Sequence, residues 1–311
     1  MKLAFVYAGQ GSQKVGMGRD FYEQYPEFRA VLDSAPVEFD LKGLCFEGPE
    51  EQLAQTRVTQ PCMVAFAIGV TDLLAKRGIR PDVAAGLSLG EYSALYAAGV
   101  FDRDTALKTV AFRGRAMEEA AAGLDCGMTA VLALDREALQ DACDRASDLG
   151  VVQICNYNCP GQLVIGGERT AVDRAGELAK ELGAKRCMPL KVSGPFHTRL
   201  MKPAGDALAA YFPTISFHAP KLPVYFNCKG KPMEAGDTIP GLLERQVQSS
   251  VYWEDTIRAM EKDGVDTIVE IGPGKTLTSF VKKTAPGIKT YHIDTVADLE
   301  EAAAALKGET P

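Results

Sequence analysis

The chain has 311 residues, of which 46% are hydrophobic and 24% are charged. This composition excludes a disordered protein and leaves room for one large core plus an inserted or second small domain. The net charge of −7 argues against a nucleic-acid partner, because a surface that binds phosphates normally makes the whole chain basic.

The cysteines and the apolar segments indicate the compartment. Eight cysteines are present without a C-x-x-C pair, and most stand in apolar runs, where a thiol behaves as a small hydrophobe. We therefore expect reduced thiols and a cytoplasmic location. Neither a signal peptide nor a membrane partner is expected, since the apolar N-terminal run is short and no run of about 18 apolar residues follows.

The first predicted element is a strand over Leu3–Tyr7, a compact apolar run typical of a buried sheet. A glycine-rich loop over 8–13 follows and allows another group to approach the backbone closely. It does not match the dinucleotide fingerprint, because Lys14 stands where the third glycine would be. A helix is predicted over 60–77, with Pro61 in its first turn.

The pentapeptide 86–90, Gly-Leu-Ser-Leu-Gly, has the pattern G-x-S-x-G. A short strand is predicted before it over 82–85, and a helix after it over 91–98. This context is typical of a nucleophile elbow, in which glycines flank a serine on a strained turn and helical N–H groups lie close to its hydroxyl. Ser88 is therefore a candidate nucleophile, and the alternative is an ordinary glycine-rich turn with a capping serine.

The pattern changes between residues 128 and 190, where strands and helices follow in the order βαββαβ. This order is that of a ferredoxin-like unit. We interpret 126–191 as a small domain inserted into a large α/β-hydrolase-like domain, which is formed by 1–125 and 192–311. The predicted elements of the insertion are strands over 128–134, 151–157, 162–166 and 185–190, and helices over 136–148 and 171–182.

The remaining elements return to the large domain. The loop 272–276 is not a phosphate-binding P-loop, because Val269 stands where its first glycine would be. A frayed tail is expected over 308–311. Strands are predicted over 223–228, 267–271 and 288–293, and helices over 104–122, 201–211, 241–248, 254–263 and 296–306.

A serine nucleophile needs a base, and imidazole is the usual one. His197 lies in a loop rich in glycine and proline that leads into a helix, the kind of irregular segment that carries catalytic groups. His218 follows in a loop of mixed character, and His292 falls within a predicted strand, which favours a structural role. No acidic residue between Ser88 and His197 stands out as a third member, so the residues alone leave that partner open.

Six motifs share one chain order with a known family. They are 9–13 (GQGSQ), 86–95 (GLSLGEYSAL), 113–117 (RGRAM), 156–162 (NYNCPGQ), 195–197 (PFH) and 270–275 (EIGPGK). On these motifs the chain resembles, over essentially its whole length, the stand-alone bacterial malonyl-CoA:acyl carrier protein transacylases. Two positions depart from the common pattern of that family, since Leu87 replaces a histidine and Ala8 replaces a proline.

The resemblance implies a two-step acyl transfer with malonyl-CoA and acyl carrier protein as partners, for fatty acid or polyketide synthesis. Ser88 attacks the malonyl thioester with His197 as the base, and the phosphopantetheine thiol then attacks the malonyl-serine ester. The backbone N–H groups of Gln10 and Leu89 would form the oxyanion hole. No metal or organic cofactor is indicated.

The same resemblance assigns further residues to the site. Arg113 matches the arginine that binds the malonyl carboxylate, for which a planar fork of donors is suited. The alternative is a solvated helix arginine, as expected for Arg115. Gln246 matches the residue whose backbone carbonyl orients the histidine, and Asn158 is assigned to substrate binding.

An acidic carrier protein would favour a basic rim near the site. The candidates are Lys185, Arg186, Lys191, Arg199 and Lys202, for which solvated surface is the alternative. Two other functions stay open on the residues: a serine hydrolase with the same elbow, and a non-catalytic subunit that binds the carrier.

Overall fold

The computed structural model describes residues 1–308, so most of the expected tail and the last residues of the predicted large domain lie outside the described residues. The chain divides into two compact units. The first comprises Met1–Gly114, Ile215–Tyr225 and the chain from Met260 onward, and the second comprises Arg115–Thr214 and Phe226–Ala259. The domain boundaries at 126 and 191 stay a prediction.

Strands and helices alternate along most of the chain, which confirms the mixed α/β class. The strands are β1 Leu3–Tyr7, β2 Val83–Gly86, β3 Cys126–Leu132, β4 Val152–Cys159, β5 Gln162–Glu168, β6 Arg186–Pro189, β7 Val224–Phe226, β8 Lys231–Pro232, β9 Val251–Tyr252, β10 Thr267–Ile271 and β11 Lys289–Ile293. The helices are α1 Arg19–Gln24, α2 Pro26–Asp33, α3 Leu41–Glu47, α4 Glu50–Leu53, α5 Thr56–Lys76, α6 Gly90–Ala97, α7 Arg103–Ala121, α8 Arg136–Ala146, α9 Arg169–Glu181, α10 Lys202–Tyr211, α11 Ile239–Val247, α12 Trp253–Lys262, α13 Thr276–Thr284 and α14 Val296–Lys307.

The first unit is built on a parallel sheet with the strand order β11-β10-β1-β2-β7. Every residue of β1 and β10 is buried, and for β1 the continuous apolar run in the sequence predicts this. Because the strands are parallel, the loops that follow β1, β2 and β10 meet at one edge. At this edge the Leu87 N–H donates to the Tyr7 carbonyl over 3.0 Å, and the Ala8 N–H donates to the Ile271 carbonyl over 3.1 Å.

Helix α5 is almost entirely buried in this unit. By length and composition it could cross a membrane, but 89% of its most apolar window is buried within the protein. The prediction that Pro61 lies in the first turn was wrong, since the helix begins at Thr56 and Pro61 is its sixth residue. One hydrogen bond within the helix is given up there, and the burial of nearly every side chain on α5 offsets that loss.

Glu270 connects the sheet to helix α13. Its buried carboxylate accepts hydrogen bonds from the N–H of Leu277 over 3.0 Å and of Thr278 over 2.7 Å. Both donors belong to the first turn of α13, where N–H groups have no partner within the helix. Burial raises the pKa of this carboxyl, although the two N–H groups act in the opposite direction.

Glu270→Gln is expected to remove a pH-dependent part of the stability. Since the pKa in the folded state lies above the ordinary value of 4.5, the folded protein binds this proton more tightly than the unfolded chain does. The stabilisation present at lower pH is lost as the pH rises through the folded-state pKa. Urea denaturation at several pH values should show the wild type losing stability relative to the variant above pH 4.5, and a difference independent of pH would contradict this.

The second unit contains a sheet with the strand order β6-β3-β5-β4-β9. Its pairs β6–β3, β3–β5 and β5–β4 are antiparallel, and β9 pairs with β4 in parallel. Helices α8 and α9 supply apolar side chains to one core together with this sheet, including Leu139, Leu178 and Ile165. The elements from β3 to β6 follow the predicted order βαββαβ, whereas β9 was not predicted.

Candidate active site

The elbow at Ser88 is as tight as its glycines predict. Ser88 has a φ of 52°, a left-handed backbone conformation that residues other than glycine adopt uncommonly and that often occurs at functional sites. A Cβ on Gly86 would lie 1.9 Å from the carbonyl carbon of Gly90, and one on Gly90 would lie 2.2 Å from the Tyr7 oxygen. Only glycine fits at either position, so the turn presents Ser88 between β2 and α6.

Gly86→Ala is expected to destabilise the protein by about 3 kcal/mol or more, because overpacking costs roughly 1–3 kcal/mol and here the obstacle is rigid backbone. The matched control is Gly287→Ala, since a Cβ at Gly287 has no heavy atom within 4 Å. That variant should change the unfolding free energy by about 0.5 kcal/mol or less. Equal denaturation midpoints for the two variants would contradict the steric account of the elbow.

The residues predicted to supply the oxyanion hole both lie at the same edge of the first sheet. Leu89 precedes α6, where the first N–H groups have no acceptor within the helix. Gln10 lies in the loop after β1, and its side-chain amide donates to the Thr56 hydroxyl over 2.9 Å. The neighbouring Gly9 allows this loop to approach the elbow, since a Cβ there would lie 2.6 Å from the Leu87 oxygen. The oxyanion role of both N–H groups stays a prediction.

Arg113 is a buried residue of helix α7. Its side chain is 0% exposed, whereas Arg115 on the same helix is exposed, so the two arginines differ as predicted. The Arg113 Nη2 donates to the Ser88 hydroxyl over 3.2 Å, and its Cζ lies 5.3 Å from the centre of the Tyr92 ring. Burial lowers the pKa of the guanidinium, and the adjacent Tyr92 and Glu91 act in the opposite direction. A cation therefore lies directly beside the candidate nucleophile.

His197 lies in the second unit and is 3% exposed. It also has a left-handed backbone, with a φ of 62°. Its Nδ1 is 2.9 Å from the backbone oxygen of Gln246. This oxygen belongs to the last turn of α11, where no N–H group of the helix donates to the carbonyl groups. Since a carbonyl only accepts, Nδ1 carries the proton in the neutral ring and Nε2 keeps the lone pair that a base needs.

The other histidines are placed differently. His218 is exposed, and its backbone N–H donates to the Val100 carbonyl over 3.0 Å. His292 lies on β11 with its Nε2 3.6 Å from a carboxylate oxygen of Asp298. Neither has the buried, carbonyl-oriented imidazole seen at His197.

Asn158 lies in β4, where the pairing with β5 shifts register between Tyr157 and Cys159. The side chain is 7% exposed, and its Oδ1 has no hydrogen-bond partner among residues 1–308. A buried acceptor of this kind fits a group that receives a bond from a bound molecule. Its role in substrate binding stays a prediction.

The structure thus brings together two sets of predicted residues. Ser88 and Arg113 are in contact in the first unit, and His197 and Gln246 are in contact in the second. The sequence analysis missed Tyr92, whose ring lies against Arg113. No spacing signals that contact, because the two residues belong to different helices, α6 and α7.

Comparison with known proteins shows the family of the chain. Residues 4–304 match the model of the family described as "Acyl transferase domain". The malonyl CoA-acyl carrier protein transacylase of Bacillus subtilis is 42% identical over 311 residues, which cover 99% of this chain and 98% of that protein.

Solved structures of transacylases also match nearly the whole chain. The transacylase of the same name from Clostridium perfringens superimposes with a TM-score of 0.95 at 37% identity, covering 99% of this chain and 98% of that one. A malonyl-transacylase in complex with its type II PKS acyl-carrier protein superimposes with a TM-score of 0.95 at 37% identity, covering 99% of this chain and 100% of that one. The chain belongs to the malonyl-CoA:acyl carrier protein transacylases, a family of acyltransferases.

Proposed function

We propose that this protein transfers the malonyl group from malonyl-CoA to the phosphopantetheine thiol of acyl carrier protein through an ester on Ser88. The observation that carries the proposal is the 3.2 Å contact between the buried Arg113 guanidinium and the Ser88 hydroxyl. A nucleophile beside a desolvated cation suits an acyl group that ends in a free carboxylate. The names of the relatives and of the carrier complex support the same substrates.

In the first step the Ser88 oxygen attacks the thioester carbonyl, and His197 Nε2 takes the hydroxyl proton. The carbon–sulfur bond then breaks, and the departing CoA sulfur receives that proton. In the second step the carrier thiol gives its proton to His197 and attacks the ester, and Ser88 leaves with the proton returned. The proposal requires His197 and Ser88 to act on one another, although they belong to different compact units.

The same scheme assigns the charged intermediates. In each step a tetrahedral oxyanion forms, and we assign its stabilisation to the backbone N–H groups of Gln10 and Leu89. Loss of one such donor typically costs about 3 kcal/mol in the barrier. The Gln246 carbonyl keeps the imidazole in the tautomer that accepts at Nε2, and it fills the orienting role of the acid that the residues alone left open.

The finer fold assignment belongs to this proposal. We assign the first unit to an α/β-hydrolase-like architecture, supported by its parallel sheet and by the elbow that follows β2. We assign 126–191 to a ferredoxin-like inserted domain, supported by the order βαββαβ. Numbered within that segment, its strands lie side by side in the order fourth, first, third, second.

The carrier surface and the compartment are also proposals. Each basic residue of the suggested rim is exposed in the second unit, which supports docking of an acidic carrier: Lys185, Arg186, Lys191, Arg199 and Lys202. All eight cysteines lie within the described residues and none of them forms a disulfide there, which supports a reducing, cytoplasmic compartment.

The test of function separates transfer from hydrolysis. Purified protein is mixed with malonyl-CoA and acyl carrier protein, and malonyl-carrier and free malonate are both quantified. Malonyl-carrier as the main product is the expected result. Mostly free malonate would support the serine hydrolase instead, and no turnover of either kind would support the non-catalytic subunit.

A further inference from the structure

We propose that Tyr92 is a positioning residue for Arg113, and that its ring thereby sets the preference for malonyl over acyl groups that lack a carboxylate. This inference rests on the proposed function, because it concerns how the same site recognises its acyl group. Tyr92 is not assigned to touch the substrate. Its effect is expected to pass entirely through the guanidinium.

Two of the contacts of Arg113 come from the segment around the start of α6. Its Cζ lies 5.3 Å from the centre of the Tyr92 ring, within the range of a cation–π contact. Its Nη2 is 3.2 Å from the Ser88 oxygen. Because Ser88 and Tyr92 are four residues apart around the start of α6, one short segment supplies both contacts, and movement of the ring would shift the cation relative to the nucleophile.

The chemistry of the contact suits a binding cation. Arg113 is fully buried, and this burial lowers its pKa. The electron-rich face of an aromatic ring stabilises such a charge. An acidic side chain would occupy the in-plane N–H donors of the guanidinium. A ring face leaves these donors available for the carboxylate of the malonyl group. The ring can therefore support the charge without displacing the malonyl carboxylate.

The ring is itself held firmly. Tyr92 is 0% exposed and stacks with Phe101, with centroids 6.4 Å apart and planes inclined by 7°. Burial also raises the pKa of the Tyr92 phenol, so the side chain stays neutral near pH 7. A fixed, neutral ring gives the long arginine side chain a defined plane against which to lie.

The test compares kcat/KM for malonyl-CoA and acetyl-CoA, with acyl carrier protein as the acceptor. Tyr92→Leu is expected to lower the malonyl-to-acetyl ratio about tenfold, mainly through a higher KM for malonyl-CoA. Loss of a buried cation–π contact weakens binding by about this factor. Tyr92→Phe keeps the ring and should restore the ratio to within about twofold of the wild type. Phe101→Leu removes the ring that stacks on Tyr92. It should lower the ratio in the same direction but by a smaller factor, because it loosens the Tyr92 ring without removing the contact to Arg113.

A second comparison separates positioning from general damage. In an Arg113→Ala background, adding Tyr92→Leu should not change the ratio further, because the two residues act in series. Tyr92→Met, whose flexible side chain fills irregular gaps, provides the same test where Tyr92→Leu does not fold. An unchanged ratio in a folded Tyr92→Leu or Tyr92→Met variant would overturn the inference alone. Failure of the wild type to transfer malonyl to the carrier would instead overturn the proposed function.

Discussion

Ser88→Ala is expected to lower malonyl transfer to acyl carrier protein by at least about 10⁴-fold, because the covalent intermediate cannot form without the hydroxyl. The left-handed backbone at Ser88 and the two glycines that cannot carry a Cβ hold this side chain at the tip of the turn. The variant should fold normally, since a methyl group is smaller than the group it replaces. Steady-state transfer rates and thermal unfolding of the same preparation measure both effects.

The matched control is Ser93→Ala, which removes a buried hydroxyl from helix α6, five residues after Ser88. It should keep most of the transfer activity, because the mechanism gives Ser93 no role. A residual rate in Ser88→Ala within about tenfold of the wild type would contradict covalent catalysis at this residue. In that case the carrier thiol would have to attack malonyl-CoA directly.

Arg113→Ala is expected to lower kcat/KM for malonyl-CoA by about 10²- to 10³-fold, the usual result of removing one partner from a buried charge pair. Transfer from acetyl-CoA should be retained or should increase, because that acyl group has no carboxylate to bind. The physical basis is the burial of the guanidinium and its contact with Ser88. Rates with both thioesters give the selectivity directly.

Two further variants complete that experiment. Arg113→Lys should restore little of the malonyl activity, because an ammonium group lacks the planar fork that pairs with a carboxylate. Arg115→Ala, on the exposed side of the same helix, should leave both rates within about twofold of the wild type. Equal losses for malonyl and acetyl transfer in Arg113→Ala would show that the residue is structural.

Some elements of the fold could be predicted from residue patterns within short segments of the sequence. The elbow could be predicted because strand, glycine, serine, glycine and helix occur within a few residues, and the clashes at Gly86 and Gly90 explain why those residue types are needed. The order βαββαβ could be predicted because its two helices span 11 and 13 residues and its first three strands span seven or eight. Helices α1 to α4 were missed because they span only four to eight residues, too few for a clear period.

The site was predictable only in part. The residues marked Ser88 and His197 as candidates, but the partner of His197 is a backbone oxygen, and any residue at position 246 would supply one. Only the family resemblance indicated Gln246. Strand β9 is two residues long and pairs with β4, which is distant in the sequence. No local sequence pattern therefore predicts it. The contact between Tyr92 and Arg113 also joins residues that are distant in the sequence, so no local pattern predicts it.

The central claim is that Ser88 and His197 act as one catalytic pair although they belong to different compact units. The rate of malonyl transfer from malonyl-CoA to acyl carrier protein, measured for Ser88→Ala, His197→Ala and the double variant, tests it most directly. Residues that act as a unit have non-additive effects, so the double variant should be no slower than the slower single variant. Losses that multiply in the double variant would contradict the pairing.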